Sequence, residues 1–241
     1  MIDWIDPTLL ALGLAVGIGA FVQSSIGFGT GVVAAPFVVI MQPELMPASL
    51  LVCTFVLPFV QLSSVPRTVS WRPLGWALAA RLVATPLGVV LVAKTSADAI
   101  ALAVGVLILV TVAASLVAVD IQVTRGSAMA AGAISGVSGT AASIGGPFLA
   151  LVLQHEPPDR LRATLAVFFI AGTAMGLAGL TIAGEMTWVQ LRAGLLWLPF
   201  VVLGHIVAGP VRSRMPAAAV RRGVLAFCVI ASVSVIARTV I

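Results

Sequence analysis

The sequence predicts an all-α polytopic membrane protein built from two inverted repeats, each a glycine-broken re-entrant helical hairpin followed by three transmembrane helices. Three observations predict it. Hydrophobic residues fill 61% of the 241 positions, charged residues only 9%, and the mean hydropathy is +1.19, values of the membrane class. Eight apolar runs, parted by short polar clusters, cover the chain. A Gly- and Ser-rich signature in the first half returns in the second.

The runs occupy residues 9–41, 46–65, 74–93, 99–119, 128–153, 163–183, 191–211 and 223–236. A hydrocarbon core of about 30 Å takes ~20 helical residues, so each run crosses or enters it. Membrane barrels use shorter alternating segments, and a helix satisfies its own backbone in lipid. Ahead of the first run stand Asp3 and Asp6 but no Lys or Arg, and that run is too long for a signal h-region. The start is therefore expected to belong to the mature protein.

Cys53 and Cys228 fall inside apolar runs and are read as small buried hydrophobes, without disulfide or metal-ligand spacing. The net charge is +5, but the basic residues gather at span ends. There they set orientation and meet lipid headgroups, so membrane lipids are expected partners and nucleic acid is not.

Self-similarity divides the chain. Gly-Phe-Gly-Thr-Gly-Val-Val-Ala-Ala-Pro-Phe at residues 27–37 has a counterpart in Ser-Gly-Thr-Ala-Ala-Ser-Ile-Gly-Gly-Pro-Phe at residues 138–148. The match continues at Met41-Gln42 with Leu153-Gln154, Ala48-Ser49-Leu50 with Ala163-Thr164-Leu165, and Ser70-Trp71 with Thr187-Trp188. Residues 1–241 therefore read as one membrane domain with internal repeats 1–122 and 123–241. Each repeat holds one overlong segment and three ordinary spans.

The overlong segments decide the topology. Residues 9–41 as one straight helix would run about 50 Å, more than a single crossing and less than two. Gly costs about 1 kcal/mol against Ala in a helix interior, which places the break at residues 23–31 and, in the second half, at residues 135–142. Each long segment is then either a bent span or a hairpin returning to its own side.

If both cross, the basic residues divide seven against five, with Arg81 left out as mid-span. If both re-enter, Arg67, Arg72, Arg125, Arg160, Arg162, Arg212, Arg214, Arg221 and Arg222 share one side against Lys94, Arg192 and Arg238, nine to three. The second split fits the positive-inside rule better. Three crossings per half then invert the second repeat relative to the first, put both termini outside, and set Trp71 and Trp188 at opposite interfaces.

The paired signatures, with Asp-Arg-Leu-Arg-Ala-Thr-Leu at residues 159–165, resemble those of the sulfite exporter TauE/SafE family. The resemblance extends over nearly the whole chain in span number, size and repeat order. It implies a permease of the bacterial inner membrane that moves small anions, such as sulfite or an organosulfonate like sulfoacetate. Ala34-Ala35 stands where a Gly pair is common in that family, and Ser24-Ser25 precedes the glycines, which leaves the exact substrate open.

Broken helices at membrane depth are tolerated where they line a cavity. A break at residues 27–31 frees N–H groups at the start of the helix that follows, where the positive pole of the helix dipole also favours an anion. The second break offers such an end from the opposite side. The expected substrate contacts are accordingly Gln23, Ser24, Ser25, Gly27, Phe28, Gly29, Thr30 and Gly31 in the first hairpin, and Ser138, Gly139, Thr140 and Ser143 in the second. Such small residues also serve close helix packing in membranes.

Arg81 lies mid-span, where a charge costs roughly 3 kcal/mol or more on insertion scales. It either faces the cavity or snorkels to the interface. His205 is a further candidate contact, as a proton-coupling group or as a packed, hydrogen-bonded histidine.

No carboxylate falls mid-span, so no relay of buried acids is visible. No catalytic triad, metal-spaced ligand set or phosphate loop is present either, and the expectation is a non-enzyme without cofactor. The reading is a secondary transporter of a small anion working by alternating access. An anion channel on the same scaffold and a non-transporting membrane scaffold or assembly factor stand as alternatives. Direction, coupling ion and oligomeric state, homo-oligomer included, stay open.

Overall fold

A computed structural model describes residues 6–63, 68–116, 121–212 and 217–240, and every regular element among them is helical. Helix α1 (Pro7–Ile26) begins on an Asp6 cap, whose carboxylate accepts the Thr8 N–H at 2.8 Å, with Pro7 in the first turn. It stops at Gly27, which takes φ +99°. Gly29, at φ +139°, then turns the chain so tightly that a Cβ there would lie 2.7 Å from Val22 Cγ1. From that turn α2 (Thr30–Met41) runs back along α1, and beyond its end the Gln42 amide reaches the Asp6 carboxylate at 3.5 Å. The overlong first segment is thus a hairpin whose two ends lie together.

After a 3-10 turn at Pro43–Leu45 come α3 (Ala48–Ser63), α4 (Trp71–Lys94) and α5 (Ala97–Leu116). The second half opens with α6 (Arg125–Ala141), started by a reciprocal cap between Thr124 and Ser127, and α7 (Gly146–Val152). It continues through α8 (Pro158–Ile182), α9 (Trp188–Leu196), α10 (Leu198–Arg212) and α11 (Ala217–Val240).

One expectation about a break needs correction. The second break lies at residues 142–145, not at 135–142, because the glycines of α6 are packing surfaces. A Cβ on Gly132 would sit 2.0 Å from the Ala77 carbonyl oxygen, and one on Gly136 2.8 Å from that of Arg81. These glycines let α4 and α6 touch backbone to backbone, a contact worth more than the helix propensity they forfeit. The span expected at 191–211 is present as Trp188–Pro210, with a single residue of turn at Trp197, which is fully buried and donates its indole N–H to the Leu9 carbonyl at 2.9 Å. Arg67 and Arg214 of the charge count, and the expected span ends at Val65 and Val119, lie outside the described residues.

The helices of the two halves interlock. α10 runs alongside α1, with Gly204 against the Gly17 carbonyl and Phe200 over Gly13, as α6 runs alongside α4. α3 packs on α8 through Ala48, Leu51 and Leu180, and α5 on α11 through Gly105 and Ile236. The outer surface is apolar even at mid-helix: Leu82, Val83 and Leu87 of α4 are 57%, 79% and 61% exposed, while Arg81 beside them is 2% exposed. That inside-out distribution suits lipid rather than water. Pro7–Ile26, Trp71–Lys94, Pro158–Ile182 and Trp188–Pro210 are long and apolar enough to cross a bilayer, with shorter apolar helices beside them. This is the arrangement of a multi-pass membrane protein.

Candidate functional site

The two hairpin tips meet inside the bundle. A Cβ on Gly31, in the first turn of α2, would come within 1.9 Å of the Ser143 carbonyl oxygen in the second tip. Ser143 itself holds φ +59°, an uncommon backbone angle for a non-glycine residue, with its hydroxyl donating to the Pro47 carbonyl at 3.1 Å. Between the tips lies a cavity walled by α1, α2, α3, α4, α6 and α8, together with the start of α7. The centre of a water molecule can move through about 20 Å³ of it. One water needs roughly 10–15 Å³ on that measure, and the equivalent sphere has a radius of about 3 Å once the water's own radius is added. A small oxyanion has about that size.

Arg81 supplies the charge. Its guanidinium lies over the Phe168 ring, 4.6 Å from the centroid, and fits there because α8 carries glycine opposite: a Cβ on Gly172 would stand 2.1 Å from Arg81 Cζ. Gly139 and Gly145 leave similar room beside the two terminal nitrogens. Arg81 therefore does not snorkel; it points into the bundle. Its Nε and Nη1 are buried without a hydrogen-bond partner, although a buried unpaired cation costs several kcal/mol.

The surrounding polar atoms are unsatisfied too. Gln23 Oε1 accepts the Thr30 N–H at 3.2 Å, while Gln23 Nε2 and the hydroxyls of Thr30 and Thr140 are buried without partners. Gly31 and Val32 line the cavity from the first turn of α2, whose N–H groups have no acceptor within the helix. Buried polar groups are ordinarily paired. Orphan donors around a lone guanidinium make a place where a negative charge would be stabilised.

Of the residues expected from the sequence, Gln23, Gly29, Gly31, Arg81, Gly139 and Ser143 line this cavity. Thr30 and Thr140 stand off the wall with their orphan hydroxyls. The others make contacts elsewhere in the bundle. Ser138 pins the second tip by bonding the carbonyls of Ile134 and Ile144, Ser25 bonds the Phe21 carbonyl, and Gly27 closes α1. Phe28 packs beside Gly146 near Phe169. Ser24 and His205 bond each other at 2.9 Å between α1 and α10, away from the cavity wall.

The second helix end differs from the first. α7 has seven residues and a proline, Pro147, in its first turn, so it offers fewer free N–H groups than α2. Sequence reasoning missed the walls contributed by α3 and α8, namely Leu51, Thr54, Phe169 and Thr173, and the clearance at Gly172. Threonines inside apolar spans were the available signal.

The family model described as sulfite exporter TauE/SafE matches residues 9–235. The chain belongs to the sulfite exporter TauE/SafE family. For this TauE/SafE protein, membership points to a membrane transporter of sulfur-related anions and agrees with the apolar helices. No curated protein and no solved structure matches the chain significantly.

Proposed function

We propose that this chain is a secondary transporter that carries a small anion, a sulfur oxyanion or organosulfonate, across the bacterial inner membrane, holding it between the two hairpin tips on Arg81. The observation that carries the reading is the buried, unpaired guanidinium facing a cavity among orphan donors. An anion there would satisfy the arginine, the Gln23 amide and the N–H groups that open α2, through charge-assisted bonds roughly twice as strong as neutral ones. Gly29, Gly139 and Ser143 complete the binding wall, the unpaired hydroxyls of Thr30 and Thr140 lie off it, and Ser138 pins the second tip. Gln23, Thr30 and Arg81 are at most 2% exposed, a burial that suits a substrate held in the bundle better than the water-filled path of an open channel. Broken segments around a cavity also speak against an inert scaffold.

The single domain would consist of inverted repeats 1–122 and 123–241. Three features support this. The packing is reciprocal: α1 lies on α10 as α6 lies on α4, and α3 on α8 and α5 on α11 pair equivalents with each other. The first hairpin returns to its own end, where the Gln190 amide also bonds the carbonyls of Glu44 and Met46 and Arg238 bonds that of Ile40. The second returns beside the start of α4, where Ser70 bonds Glu156 and Thr164. Arg72, Arg125, Arg160 and Arg162 then share the cytoplasmic end, and both termini face outward.

Ligand-dependent thermal stabilisation of the purified protein tests the site, since a ligand bound only to the folded state raises the melting point by mass action. Sulfite or methanesulfonate should stabilise the wild type, Arg81→Lys should keep part of that effect, and Arg81→Gln should lose most of it. An undiminished shift in Arg81→Gln would move the site elsewhere.

A further inference from the structure

We infer that the cavity takes a singly charged oxyanion, and that from a dibasic oxyacid it selects the protonated monoanion, so that a proton crosses the membrane on the substrate itself. The inference rests on the anion-binding reading above and goes beyond it to the charge state of the ligand and the source of coupling.

Charge balance is the first argument. Among the described residues, Arg81 is the one charged residue lining the cavity. α1, α2, α3 and α7 carry no charged residue along their lengths. The remaining charges of the other walls stand at helix ends: Arg72 and Lys94 on α4, Arg125 on α6, and Asp159, Arg160 and Arg162 on α8. His205 pairs with Ser24, His155 lies in the turn before α8, and neither lines the cavity. A monoanion leaves the buried complex neutral. A dianion leaves a net negative charge buried in low dielectric, where the cost of an uncompensated ion is several kcal/mol.

Hydrogen-bond polarity is the second and independent argument. Two hydroxyls on the cavity wall have their protons committed elsewhere: Thr54 donates to the Leu50 carbonyl at 2.8 Å and Ser143 to the Pro47 carbonyl at 3.1 Å. Carbonyl oxygens only accept, so what each of these hydroxyls has left to offer a ligand is a lone pair and not a proton. A site for a bare oxyanion gains nothing from acceptors. A protonated oxyanion needs one for its O–H, opposite the donors of Arg81 and Gln23. The proton balance follows: a dianion that takes up a proton on one side, crosses as the monoanion and ionises on the other transfers one proton per anion. No titrating side chain is required, in keeping with spans that hold no mid-membrane acid.

Thermal shift of the purified wild-type protein with three probes from about pH 6 to about pH 8.5 tests this. Methanesulfonate, a monoanion throughout, should bind equally across the range. Sulfite ionises to its dianion near neutral pH, and its apparent affinity should fall about tenfold per pH unit above that ionisation. Sulfate, a dianion throughout, should bind at least about a hundredfold more weakly than sulfite at the acid end. Sulfite binding that stays flat or tightens with rising pH, or sulfate binding as tight as sulfite, would overturn the inference and leave the anion site standing. Silence of all three anions would remove the site itself and the inference with it. Thr54→Val should weaken sulfite at low pH more than methanesulfonate, which has no O–H to donate. An equal loss for both would overturn the acceptor role on which selection of the protonated form rests.

Discussion

Single atoms decide whether the guanidinium of Arg81 can sit where it does. Gly172 is the residue that makes its place, since a Cβ would lie 2.1 Å from Cζ and 2.2 Å from Nε. Gly172→Ala is expected to displace the guanidinium from the Phe168 face and to weaken anion-dependent stabilisation by about tenfold or more, equivalent to roughly 1.4 kcal/mol. Gly75→Ala, where nothing lies within 4 Å of the new Cβ, should leave binding intact and raise helix stability by up to about 1 kcal/mol. Thermal shift with and without methanesulfonate on the two variants reads the difference. An equal ligand response in both would mean that the clearance at Gly172 does not position the arginine.

Helices here are held by backbone contact as much as by side chains. The α4–α6 seam depends on Gly132 and Gly136, and a Cβ on Gly132 has no room at 2.0 Å from the Ala77 carbonyl. Gly132→Val should part the seam and lower stability by ~1–3 kcal/mol or more, seen as a lower melting point without ligand. The turn between α1 and α2 is a different case. Gly29→Val puts a β-branched residue at φ +139° and against Val22, so the hairpin tip should lose its shape and anion stabilisation should vanish. Gly139→Val should weaken binding by crowding Arg81 Nη2, which lies 2.9 Å from the new Cβ. A Gly29→Val protein that folds and binds sulfite or methanesulfonate like the wild type would separate the tip from the site.

Across the whole molecule the two hairpins set the order of crossings, and labelling from one side of the membrane reads that order directly. Glu44→Cys and Gly184→Cys should react with an impermeant thiol reagent in intact spheroplasts. Gly126→Cys and His155→Cys should react only after the membrane is opened. Cys53 and Cys228 are 0% and 1% exposed, which keeps the native background low. Reaction of Glu44→Cys and His155→Cys from the same side would contradict the proposed inversion of the repeats.

What the sequence by itself determined is the membrane class, the helical fold, the two long segments and the first break, because composition, length and glycine placement act locally. Arg81 stood out for the same reason: a lone charge in an apolar run is visible without any partner. Other features depended on which surfaces face each other. The glycines of α6 read as a break and are a seam, since only α4 lying against them shows what their missing side chains allow. His205 read either as a proton-coupling group or as a packed histidine, and only the fold brings Ser24 of α1 against it on α10. Thr54 and Thr173 stood out only as threonines in apolar runs, and nothing local showed that they and Phe169, a whole repeat away from Thr54, share a cavity with the tips. Tertiary structure alone decided these roles, because a cavity is made by residues distant in sequence, and the free energy of a buried polar atom is set by whatever group the fold brings opposite it.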